Sequence, residues 1–108
     1  MSTASSSTAS LEALGNERYR VSGVLDAVTT PKLLDESAAK FSDQSGVDIH
    51  VDLAAVTESD SAGLALVIEW LRLARQRGQR INFANLPKQL LALAHISEVE
   101  ALIQSEVA

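Results

Sequence analysis

Thr57-Glu58-Ser59-Asp60-Ser61-Ala62-Gly63-Leu64-Ala65-Leu66-Val67-Ile68-Glu69-Trp70-Leu71-Arg72-Leu73-Ala74-Arg75-Gln76-Arg77-Gly78 opens with polar turn-forming residues, passes into an apolar run with helical spacing and stops at a glycine. The spacing predicts a helix. Ser59 or Asp60 can cap it by accepting a first-turn backbone N–H, and Gly78 suits the left-handed residue that closes a helix. Arg75 and Arg77 stand in the last turn, at the negative end of the helix dipole. At about 100° per residue, Gly63, Leu64, Leu66, Val67, Trp70, Leu71, Leu73 and Ala74 fall on one broad side. Ser61, Glu69, Arg72, Arg75 and Gln76 fall on the other. Ala65 and Ile68 interrupt that polar side, on the same stripe as Ser61. A serine at a helix start followed by small and apolar outward positions reads as a docking surface, although single exposed apolar residues are common on any surface.

Working outward, the 108-residue chain is long enough for one core and too short for two. A net charge of −5 lacks the electrostatic footprint of a nucleic-acid binder and gives anionic lipid no strong attraction. With no cysteine, disulfides, thiol chemistry and thiolate metal sites are excluded. His50 and His95 are far apart and lack a carboxylate at ligand spacing, so no metal site is expected. Met1 to Ser10 is almost entirely Ser, Thr and Ala, without the basic and apolar regions of a signal peptide, and reads as a disordered tail ahead of one domain over 11–108. No run approaches the roughly 20 apolar residues of a membrane span. A soluble, cytoplasmic protein is expected.

In chain order, Leu11 to Leu14 reads as a short strand, and Glu17 to Leu25 as a clearer one. Thr29 or Thr30 caps a helix whose first turn accommodates Pro31; Leu33, Leu34, Ala38 and Phe41 form its apolar stripe, and Ser45-Gly46 ends it. Val47 to Leu53 alternates strictly, with Asp48, His50 and Asp52 on a wet face. Arg80 to Ala84 is a strand with Ile81 and Phe83 inward. After the Asn85-Leu86-Pro87 turn, a helix over Pro87 to His95 packs with Leu90, Leu91 and Ala94. Ser97 and Glu100 have capping-box spacing for a last helix that Val99, Leu102 and Ile103 would pack down. The pattern β-β-α-β-α-β-α-α implies an α/β domain, with helices on one face of a mixed sheet of four to five strands.

Little in the chain carries chemistry. Gly23, Gly63 and Gly78 are isolated, so there is no phosphate loop, and nothing brings a histidine to Ser61. Asp26 and Asp60 are conceivable paired carboxylates, but no burial supports acid–base work. Neither enzymatic activity nor a cofactor or small-molecule ligand is expected.

Asp60-Ser61-Ala62-Gly63-Leu64, preceded by Val51-Asp52-Leu53 and by Ser22-Gly23-Val24-Leu25-Asp26, resembles the STAS domain over about residues 17–104. The resemblance implies a partner-binding function. In its regulatory branch, the anti-sigma factor antagonists, the residue at Ser61 is phosphorylated by a partner kinase, which releases the domain. Ala62 stands where that branch commonly carries a second serine. Leu64-Ala65-Leu66-Val67 and Phe83-Ala84-Asn85-Leu86-Pro87 resemble a different branch. That branch is the small STAS subunit of the Mla phospholipid-transport ABC complex, which maintains outer-membrane lipid asymmetry. This second resemblance implies a non-catalytic accessory subunit bound to the transporter's ATPase, peripheral at the inner membrane. On that reading the partner-binding residues are Asp26, Asp60, Ser61, Ala65, Ile68 and Arg72.

Overall fold

The computed structural model describes residues 8–96. Seven elements follow one another: β1 (Ala9–Gly15), β2 (Arg18–Leu25), α1 (Thr30–Lys40), β3 (Asp48–Ser59), α2 (Ser61–Gln76), β4 (Arg80–Ala84) and α3 (Lys88–Ile96). The strands form one mixed sheet in the order β1-β2-β3-β4. β1 and β2 are an antiparallel hairpin, whereas β2–β3 and β3–β4 are parallel. Each parallel step needs a crossover helix, and both steps move the same way across the sheet. Right-handed crossovers therefore put α1 and α2 on the same face. The single α/β domain expected from the pattern is present, with four strands.

One sheet face is dry. Leu11, Tyr19, Val21, Leu25, Ile49, Val51, Leu53, Ile81 and Phe83 point into the helices and are buried. On the α2 side the wheel assignment holds for Gly63, Leu64, Leu66, Val67, Trp70, Leu71 and Ala74, which are buried, whereas Leu73 is half-buried against the core. Trp70 has no solvent exposure and stands in a row of rings, 6.1 Å from Phe41 and 6.2 Å from Phe83 by centroid. Its indole N–H donates to Ser37 Oγ at 2.7 Å, and the Ser37 hydroxyl donates to the Leu34 carbonyl at 2.9 Å. A buried indole N–H left unpaired is costly, so a serine on α1 answers it.

Several expectations are corrected. β1 begins at Ala9, two residues inside the segment read as tail, because Val24 N–H donates to Thr8 O (2.9 Å) and draws the chain onto the sheet. Gly23 makes this possible: its φ is +96°, and a side chain there would overlap the Thr8 carbonyl and Ala9 Cα. α1 stops at Lys40, five residues before Ser45. Thr29 occupies its N-cap position without making the cap bond, since its hydroxyl donates back to Val24 O at 2.7 Å. β3 runs on through Ser59, well past Leu53; irregularities in the β2–β3 register break the alternation that would have shown it. Leu91 is half-buried. The last helix, with Ser97 and Glu100, lies outside the described residues.

Candidate functional site

The first turn of α2 is fixed on three sides. Asp60 is its N-cap: the side chain accepts from Ala62 N–H at 2.8 Å, and its own N–H donates to Leu25 O at 3.1 Å. Ser59, the last residue of β3, lies in register with Leu25, the last of β2. Gly63 sits on this junction. A Cβ there would overlap Ser59 Oγ and come within 3.1 Å of Leu25 Cβ, so the motif glycine lets the helix start close against two strand ends. The junction holds Ser61, the first helical residue, in place with its side chain exposed.

At the end of β2, Asp26 folds the chain into a tight turn. Its Oδ1 accepts from Val28 N–H at 2.9 Å and Thr29 N–H at 3.1 Å, while Thr29 Oγ1 accepts from Asp26 N–H. The parallel register brings Asp26, Glu58 and Asp60 together around one open recess of about 480 Å³, with Ser59 and Gln89 also lining it. Among the described residues no group of three or more His, Asp or Glu side chains could hold a metal ion. These carboxylates make an acidic surface rather than a ligand cage.

A second recess, about 270 Å³, opens between α1 and α2. Pro31 and Leu34 form one wall, Ala62, Ala65 and Leu66 the other, with Thr30 and Glu69 at the margin. Its lining is nearly all apolar, because small residues on α2 leave the gap that Pro31 and Leu34 overlook.

The sequence-predicted site residues are partly united. Asp26 and Asp60 share the acidic recess, Ser61 follows Asp60, and Ala65 is exposed one turn further on. Ile68 is a correction: it is half-buried and packs against the core, so the outward stripe loses its apolar centre. Arg72 is exposed, beyond that break, and its guanidinium pairs with Glu69 at 3.2 Å. Glu58, Gln89, Pro31 and Leu34 were not anticipated. Glu58 was hidden by reading Thr57 to Asp60 as a turn; once β3 is extended, its pairing with Val24 places it beside Asp26.

Asp48, His50 and Asp52 lie on the opposite, open sheet face. Asp52 Oδ1 accepts from Asn85 Nδ2 (3.0 Å) and Ala54 N–H (2.9 Å). Those two bonds, led by the one from Asn85, hold its carboxyl below the usual aspartate range. The Asp52 carboxylate thus ties β3 to the turn between β4 and α3. Tyr19 is shifted the other way, upward, by burial first and then by the Glu17 carboxylate. Its hydroxyl donates to Lys40 O at 2.9 Å, which ties β2 to the end of α1. No helix among the described residues is long and apolar enough to cross a membrane.

Residues 10–104 match the family model described as "Mlab, STAS domain". The chain is 29% identical over 84 residues to an anti-sigma-B factor antagonist of Listeria monocytogenes, covering 78% of this chain and 73% of that one. An anti-sigma-B factor antagonist of Staphylococcus epidermidis is also 29% identical over 84 residues, covering 78% and 77%. Among solved structures, the anti-sigma factor antagonist SpoIIAA in its unphosphorylated form superposes with a TM-score of 0.64 at 17% identity, over 87% of this chain and 84% of that one.

Proposed function

The chain belongs to the STAS-domain family, and from that premise we propose that it is a non-catalytic module that binds a partner protein through the amino-terminal end of α2. The observation that carries this reading is Ser61. It is an exposed hydroxyl at the first helical position, held by a capped and closely packed junction, with an acidic recess on one side and an apolar one on the other. Residues that serve only folding have no need of such a presentation.

The partner class is read in two ways, each from its own observation. The curated relatives support an anti-sigma factor antagonist. The resemblance of Asp60-Ser61 to that branch then implies binding by a kinase and release when Ser61 is phosphorylated. A phosphate on Ser61 would add a charge of about −1.5 to −2 beside Asp60, enough to expel a tightly fitted partner. The description of the family model supports the second reading, an accessory subunit on the ATPase of a phospholipid-transport ABC complex, held at the inner membrane through that complex. Ala62 also favours it. Where the regulatory branch commonly carries a second serine, this chain has a methyl group lining the apolar recess, as a constitutive contact would use.

One experiment separates them. The purified chain is offered to the anti-sigma kinase and to the transport ATPase of its own genome, with ATP, and followed by co-purification and by intact-mass measurement. A mass gain of one phosphate at Ser61 with release from the kinase is the outcome expected of an antagonist. A stable, unmodified complex with the ATPase is the outcome expected of an accessory subunit. Binding to neither removes both partner classes, and capture unaffected by Ser61→Asp removes the α2 terminus from partner recognition.

A further inference from the structure

Three consecutive residues join two unlike surfaces. Asp60 lines the acidic recess, Ala62 lines the apolar one, and Ser61 lies between them on the exposed side of the same helical turn. Neither recess has a lysine or arginine in its lining. The acidic recess brings three carboxylates, Asp26, Glu58 and Asp60, to the carboxyl ends of β2 and β3. The apolar recess contributes the α1 wall of Pro31 and Leu34, a part of the surface that the helix wheel of α2 cannot show.

We propose that the two recesses are one bipartite docking site. Its occupant is a partner-protein element that presents an apolar side chain to the α1–α2 recess and a cationic side chain to the carboxylates across Ser61. This rests on the reading of the α2 terminus as the partner surface. Charge decides the occupant. A second copy of this chain would bring its own net charge of −5 and the same cluster of carboxylates to a symmetric contact, which like-charge repulsion opposes. An acidic or uncharged partner would bring no counter-charge to Glu58 and Asp60 at the contact rim. A basic one is steered in by them and then held by the apolar anchor, a division in which charge sets the association rate and packing the dissociation rate.

The test uses the full chain with whichever partner, kinase or transport ATPase, it captures. Glu58→Lys should slow association about tenfold at low salt and flatten its dependence on ionic strength. Ala65→Gln changes an exposed helical position without altering charge and fills the apolar recess. It should speed dissociation about tenfold and leave the salt dependence as in the parent. Parent-like kinetics for both variants overturn the proposal. So does a dimer of the chain that Ala65→Gln disperses in sedimentation, because a second copy is then the occupant. If the chain captures neither protein, the reading of its partner class has failed, and the surface is tested without one. The isotope-labelled chain is titrated by amide NMR with three short peptides, alternating leucine–arginine, serine–arginine and leucine–glutamate. Shifts at both recesses with the first, at Glu58 and Asp60 only with the second, and none with the third support the site. Shifts on the open sheet face around Asp48 and His50, equal shifts with all three peptides, or none at all overturn it.

Discussion

The two ends of α2 are built on opposite plans. At its carboxyl end the chain is tied down. Arg77 donates to the carbonyls of Ala38 (3.0 Å), Phe41 (3.5 Å) and Ser42 (3.3 Å), closing the end of α1. Gln79 continues the clamp by donating to the Ser42 and Gln44 carbonyls. Gly78, at φ +67°, lets the chain turn between them. At the amino end the backbone is just as fixed, through Asp60, Leu25 and Gly63, yet the side chains are left facing solvent across two recesses. Rigidity is common to both ends; what differs is that the amino end leaves the Ser61 hydroxyl exposed between two open recesses. A docking surface is recognised here by a fixed backbone that presents an exposed hydroxyl and two recesses to solvent.

The comparison depends on a middle that holds both ends in register, and the largest effect is expected there. Trp70→Ala should cost about 3–5 kcal/mol, a major part of the roughly 5–15 kcal/mol that such domains possess. Urea unfolding followed by circular dichroism measures it. A midpoint within error of the parent would show that α2 is not seated by its centre.

Next in size is the amino-end junction. Gly63→Ala gains helix propensity of about 1 kcal/mol but drives a methyl group into Ser59 Oγ and Leu25, an overpacking that costs roughly 1–3 kcal/mol. A net loss of stability is expected, recovered in part by adding Ser59→Ala. Net stabilisation by Gly63→Ala alone would mean that the helix start is looser than the contacts imply, and the contrast between the two ends would widen.

Arg77→Met tests the other end. It keeps much of the stem and removes the guanidinium bonds to three carbonyls, for an expected loss of about 1–3 kcal/mol. Partner capture should be unchanged, because the surface that docks is at the far end of the helix. Reduced capture by a folded Arg77→Met variant would place this end in the interface as well.

How far the sequence could be read follows the same division. Period alone showed the α2 core face, Trp70 included, since a buried stripe repeats every turn. The alternation Val47, Ile49, Val51, Leu53 likewise showed the inner face of β3. It failed beyond Leu53, where bulges put Ala54 to Glu58 out of period-two phase. That error concealed Glu58. The apolar recess was illegible for a different reason: it needs Pro31 and Leu34 from one helix and Ala62 and Ala65 from another, and no local pattern encodes a gap between helices. Ile68 was misassigned because its wheel position lies on the polar side, between Arg75 and Ser61, and only its packing against the core shows that it is half-buried. Ser37 left a usable signal, as a buried tryptophan requires an acceptor for its N–H.

The smallest effect on folding is expected at Ser61, and its smallness is the point. Ser61→Asp puts a negative charge in the first turn of α2, where the helix dipole favours it by about 0.3–1 kcal/mol. Asp60 is the adjacent residue and Asp26 and Glu58 share its recess, so like-charge repulsion offsets that gain. The two terms are similar in size and opposite in sign, and the melting temperature should stay close to that of the parent. Binding has no such cancellation. A carboxylate pressed against a partner must lose its water, and an unpaired buried charge costs several kcal/mol, a loss of roughly a hundredfold or more in affinity at about 1.4 kcal/mol per factor of ten. Ser61→Ala should bind with a milder loss, and Ser61→Thr should bind nearly as the parent does. Melting and capture measured on the same three variants decide the matter. If Ser61→Asp lowers the melting temperature as much as it lowers capture, Ser61 belongs to the fold and the two ends of α2 are alike after all.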